Sequence, residues 1–126
     1  MLDTAYNNTI VNTRVGVGLA VTEQQGVLPP LPNQQGGVFV DQGTYATTIG
    51  GIKAIQANYI NNNGGDGITI NASRKNSIIG NYIMANDIGV YAWGNCAGTV
   101  LLNNFVFGNT NNPQVNTSGS SGIIIK

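Results

Sequence analysis

The chain has 126 residues; only 8% are charged, and five basic residues balance five acidic ones. Such a surface lacks the electrostatic footprint of a nucleic-acid or anionic-membrane binder, and no run approaches the ~20 apolar residues of a spanning helix. Histidine is absent, which removes the commonest general base and the commonest metal ligand. The single cysteine, Cys96, excludes an intramolecular disulfide.

The length suits a single domain, 1–126. Its first residues, "MLDTAYNN", are polar and acidic, unlike a secretory signal, so either export is specified by a segment that this sequence lacks or the chain is a fragment of a longer solenoid. Short apolar segments follow in chain order: "NTIVN" (8–12), "GLAV" (18–21), "GVFV" (37–40), "TTIGG" (47–51), "KAIQANYINNN" (53–63), "GITI" (67–70), "NSIIGNYIMAN" (76–86), "GVYA" (89–92), "TVLLNNFVFGN" (99–109) and "GIII" (122–125). Alternating, β-branched and separated by Gly and Asn, they read as strands with tight corners. The Pro-rich "QQGVLPPLPNQQG" (24–36) and the polar "TNNPQVNTSGSS" (110–121) read as loop insertions.

Three of these segments align at an offset of 23 residues. Asparagine then falls into two columns, Asn58, Asn81, Asn104 and Asn63, Asn86, Asn109, with apolar columns Ile60, Ile83, Val106 and Ile55, Ile78, Leu101. Recurrence in register describes the rungs of a solenoid. Rungs lie ~4.8 Å apart, so like residues stack on like. Stacked Asn side chains can hydrogen-bond along the column, and Asn tolerates the left-handed backbone of a corner. The expected fold is an all-β, right-handed parallel β-helix of four to five rungs.

The repeat "NSIIGNYIMANDIGVYAWGN" with "GGDGITINAS" resembles the right-handed parallel β-helices of the pectate-lyase-like superfamily, nearest the carbohydrate-binding and sugar-hydrolase type of repeat. The resemblance covers residues 37–109 well and 7–21 weakly. It implies a fold rather than a function, because the superfamily spans lyases, epimerases, galacturonases, tailspikes and adhesins. An epimerase-like Asp, His and Tyr set cannot be assembled without histidine. A galacturonase-like pair needs neighbouring carboxylates, and of Asp3, Glu23, Asp41, Asp66 and Asp87 only Asp66 and Asp87 fall on adjacent rungs. Their bland role is to cap a turn. "NGGDGI" (63–68) echoes a calcium-binding repeat once, so calcium at Asp66 and Asp87 is a weak expectation; otherwise no metal or cofactor is expected. Arg74 and Lys75 follow on the same segment as a lyase-like cation pair, and Cys96 in "GNCAG" reads as a small residue near a corner.

Alternation assigns the faces. With Val38, Val40, Ile68, Ile70, Val90 and Ala92 inward, one outward column reads Ala20, Phe39, Thr69, Tyr91, Ile124, and the next Thr22, Asp41, Asn71, Trp93, Lys126. Phe39, Asp41, Asn71, Tyr91 and Trp93 therefore form the expected binding face, for a saccharide, a partner chain, or the 24–36 insertion folded over it. Tyr59, Tyr82 and Phe105 make a further column at one edge. The expected function is a non-catalytic structural, assembly or adhesion module of an extracellular or cell-surface protein. Copies would associate as an oligomer or filament through open solenoid ends. The alternative is a carbohydrate-binding segment of a polysaccharide-active enzyme.

Overall fold

The structure, a computed structural model, describes residues 5–16 and 31–126. The expected strand at 18–21, residues 24–30 of the Pro-rich insertion, and Asp3, Ala20, Thr22 and Glu23 lie outside the described residues. Among the described residues the elements are strands apart from one 3-10 turn, Ala54–Gln56. In chain order they are β1 (Thr9–Ile10), β2 (Arg14–Val15), β3 (Val38–Val40), β4 (Thr48–Gly50), β5 (Tyr59–Asn61), β6 (Ile68–Asn71), β7 (Ser77–Ile79), β8 (Tyr82–Met84), β9 (Val90–Leu102), β10 (Phe105–Phe107) and β11 (Val115–Ile125).

All pairings are parallel, and they sort the strands into three faces. On face 1, β3, β6 and the first parts of β9 and β11 stack Val38, Ile68, Val90 and Val115. On face 2, β1, β4, β7 and the last parts of β9 and β11 stack Ile10, Ile49, Ile78, Leu101 and Ile125. On face 3, β2, β5, β8 and β10 stack Val15, Ile60, Ile83 and Val106. Strands β9 and β11 run through the corner between faces 1 and 2, which merge into one seven-stranded sheet; face 3 is a separate sheet of four. The chain thus curls through three parallel faces per turn around a core of Ile49, Ile60, Ile68, Ile70, Ile78, Ile83 and Val90, all fully buried. This is the all-β, β-helix-like arrangement of parallel strands that the repeat predicts.

Both asparagine columns exist as hydrogen-bonded ladders. Asn58 Nδ2 donates to Asn81 Oδ1 (2.9 Å), and Asn81 Nδ2 to Asn104 Oδ1 (2.9 Å). Each amide also donates back to a face 2 carbonyl: Asn58 to Ile10, Asn81 to Ile49 and Asn104 to Ile78. One side chain therefore ties together three successive turns of the chain. The second ladder repeats this from Asn63 to Asn86 (2.8 Å) and Asn86 to Asn109 (3.1 Å). Asn33 donates onto its start, and at its other end Asn109 Nδ2 donates to Gln114 Oε1. A third corner, not visible as a column in the sequence, uses unlike residues. Thr47 N donates to Asn76 Oδ1, and Asn76 Nδ2 donates to Thr99 Oγ1 and Ser73 Oγ. Among the described residues no buried side-chain nitrogen or oxygen lacks a partner, so the buried amides incur no unsatisfied-group penalty.

Several expectations need correction. The left-handed backbone belongs not to the ladder residues but to those just before them: Gly80 and Asn103 on the first ladder, Asn62, Ala85 and Gly108 on the second, Ala46, Lys75 and Gly98 on the third. The sharp bend there turns the following side chain inward, where it meets its copy. Ile55 is not in the apolar column; it is exposed in the 3-10 turn, and Ile49 takes its place. Between Gly50 and Asn58 the chain carries residues that have no counterpart between Ile79 and Asn81, and these break the 23-residue spacing. The polar insertion is shorter than 110–121, because β11 begins at Val115. Its polar residues can pair since outward positions need no apolar partner, and Val115 anchors the strand against the core. The outward columns consequently end differently: Asn116 and Gly119 stand opposite Tyr91 and Trp93, whereas Ile124 pairs with Val100 on face 2 and Lys126 lies beyond the strand.

The ladders yield a stability prediction. Asn81→Ala strands donors and acceptors on both neighbouring rungs and is expected to cost about 2–3 kcal/mol in urea denaturation. Asn111→Ala, at an exposed amide, is expected to cost less than about 0.5 kcal/mol. Glycine spacing yields another. A Cβ on Gly89 would stand 2.2 Å from Val106 Cγ1 and 2.7 Å from the Gln114 carbonyl, so Gly89→Ala is expected to lose about 3 kcal/mol. Gly108 has positive φ but open space around it, so Gly108→Ala is expected to lose only about 1 kcal/mol, as its rung mate Ala85 already shows an alanine there.

Candidate functional site

Face 1 carries the aromatic side chains because its pairing fixes which residues point outward. Register places Phe39, Thr69 and Tyr91 in one column and Asn71 opposite Trp93 in the next. Inward neighbours Val40, Ile70 and Ala92 are buried in the core, which pins the alternation. Phe39 is 60% exposed, while Tyr91 and Trp93 are half-buried. The rings converge: Phe39 and Trp93 centroids are 6.3 Å apart at 52°, and those of Tyr91 and Trp93 5.1 Å apart at 43°. Asn71 Nδ2 donates to Asp41 Oδ1 at 2.7 Å, and Asp41 also accepts from the Gln42 backbone. The sequence-predicted face is therefore assembled in space, with all five of its residues on adjoining positions.

A groove of about 440 Å³ runs beside the rings. It is lined by Phe39, Tyr91 and Trp93, by Thr69, and by a glycine-rich ridge of Gln35–Gly37 with Gly65 and Asp66. The ridge is tightly layered, since a Cβ on Gly65 would fall 2.0 Å from the Gln35 carbonyl. Asp66 accepts from Thr69 Oγ1 (3.1 Å) and from the Ile88 amide (3.3 Å). Sequence reasoning misses the ridge and the role of Thr69, which alternation makes a plain outward position but which is buried between Phe39 and Tyr91 in the column. The available signal is the match of "QQGG" (34–37) with "GGDG" (64–67), one turn apart.

The other sequence candidates separate from this site. Asp87 accepts from Asn111 Nδ2, whereas Asp66, in the groove, accepts from Thr69 and Ile88. Arg74 and Lys75 line a different cleft of about 390 Å³ with Gly43, Thr44, Tyr45 and Ala72. Cys96 is a core residue whose thiol donates to the Trp93 carbonyl at 3.3 Å; burial pushes its pKa up, against a thiolate role. Tyr59, Tyr82 and Phe105 stack with centroids 4.9 Å apart and planes within 7°. Ring faces in that column cover one another, which makes it a brace for face 3.

A family model described as "Periplasmic copper-binding protein (NosD)" matches residues 2–123. No curated protein and no solved structure matches the chain. The periplasmic description agrees with the expected location outside the cytoplasm, and no helix among the described residues is long and apolar enough to cross a membrane. Copper calls for imidazole or soft sulfur ligands. The residues present do not fit it: histidine is absent from the sequence, the one thiol is packed into the core, Met84 is the one thioether among the described residues, and among these no three Cys, Asp or Glu gather into a metal-holding group. The match nonetheless runs almost end to end, and the chain belongs to the family described as periplasmic copper-binding protein (NosD).

Proposed function

We propose that the chain is a non-catalytic recognition and adhesion module that binds a saccharide on face 1. In this reading the scaffold is a right-handed parallel β-helix of the pectate-lyase-like type with four to five rungs. Faces of four, five and four stacked strands support the rung number, and the strong preference of parallel crossovers for one hand supports the handedness. The carrying observation is the convergence of Phe39, Tyr91 and Trp93 on one groove that also holds Asp66 and borders the Asp41–Asn71 pair. Apolar faces of sugar rings stack on aromatic rings, and carboxylates and amides bind hydroxyls. The reading needs neither a metal nor a cofactor. On a glycan array, the unmodified protein is expected to bind a subset of glycans. Trp93→Ala and Tyr91→Ala should each weaken that binding at least about tenfold, in line with the loss of an aromatic anchor. Binding to no glycan would end this reading.

A second reading, association of copies, is favoured by a separate observation. Phe105 and Phe107 on β10, and Ile124 and Ile125 on β11, are exposed at strands that close their sheets. Unpaired strand edges with apolar side chains invite pairing with another chain. Size-exclusion chromatography and electron microscopy across a concentration series are expected to show oligomers or filaments, and a monomer throughout would rule the reading out.

A further inference from the structure

We propose that the groove on face 1 selects saccharides that carry a protonated amine; the inference rests on the saccharide reading above and adds the charge of the sugar. Among the described residues lining the groove, Asp66 carries the only full charge. Among the described residues each of its carboxylate oxygens has a single donor, Thr69 Oγ1 on one and the Ile88 amide on the other. A carboxylate oxygen has room for about two such bonds, so both keep an accepting position for a ligand. The same groove is lined by three aromatic rings, Phe39, Tyr91 and Trp93, and aromatic π-faces attract a cation within about 6 Å. At the rim, Asp41 adds a second carboxylate, held by Asn71 opposite Trp93. The cations Arg74 and Lys75 lie in the separate cleft beyond this pair.

A carboxylate with accepting positions and three aromatic rings therefore line one groove, with no lining cation to neutralise the charge. A neutral sugar gains stacking and hydroxyl contacts there. An amino sugar gains the same contacts, and its ammonium group adds a charge-assisted bond to Asp66 and a cation–π contact. A uronate would bring its carboxylate against Asp66 and is disfavoured.

Trp93 is the only tryptophan, so its fluorescence reports on the groove directly. The test titrates the full chain with a glucosamine oligosaccharide and with its fully N-acetylated counterpart, following fluorescence and calorimetry in parallel. The amine form is expected to bind about tenfold more tightly. That preference should shrink at about 0.5 M salt, because the added attraction is electrostatic. Asp66→Asn should remove the preference while leaving weak binding of both forms, and the salt series on the unmodified protein decides the same question should the variant fail to fold. Equal binding, or a preference for the acetylated form, overturns the amine inference and leaves the saccharide reading standing. Failure of both oligosaccharides together with every glycan on the array overturns both.

Discussion

The primary-amide side chain carries a donor and an acceptor at one end, and the whole structure depends on that. Two copies held at the same height of successive rungs can pair head to tail indefinitely, which a hydroxyl does less well and a carboxylate cannot do at all. Asn58, Asn81 and Asn104 use this capacity together with a backbone carbonyl on the adjoining face. Ladder and strand pairing are thus one cooperative network. The isoleucine columns supply the burial; the amides set the height at which each rung rests.

The same constraint explains the surface. Because the register cannot slip without breaking two ladders at once, the outward positions of face 1 are fixed as firmly as the inward ones. Phe39, Tyr91 and Trp93 are held on a parallel sheet rather than on loops, with Thr69 buried between Phe39 and Tyr91 in the column. Rigid rings lose little freedom on meeting a flat ligand. The thiol of Cys96, bonded to the Trp93 carbonyl, serves the packing of this face and not its chemistry.

Much of this is legible in the sequence, and the failures have definite causes. Asn81 and Asn86 are readable as ladder residues because the same amino acid recurs at an unbroken offset of 23. Thr47, Asn76 and Thr99 form an equivalent corner from different amino acids, so identity-based alignment passes over it. Ile55 is misplaced by that alignment because the residues around the 3-10 turn shift the count between Ile49 and Asn58. The strand from Val115 is hidden by its composition, since a polar edge strand is held by backbone bonds that leave no hydrophobic trace. The five residues of the aromatic face are legible because alternation is a local rule. The ridge that lines the same groove depends on two segments thirty residues apart, Gln35–Gly37 and Gly65–Asp66.

Every amide in the two ladders points the same way, its oxygen receiving from the preceding coil and its nitrogen giving to the following one. Such a column has a head and a tail, so it can be lengthened only by adding complete coils in the same orientation. Surplus residues are tolerated at bends, as the 3-10 turn demonstrates, and as do the register shifts where β9 and β11 round the corner between faces 1 and 2. A gene encoding this architecture can therefore grow by duplicating one whole period, whereas gaining or losing a few codons inside a strand would put every later amide out of step with its neighbour.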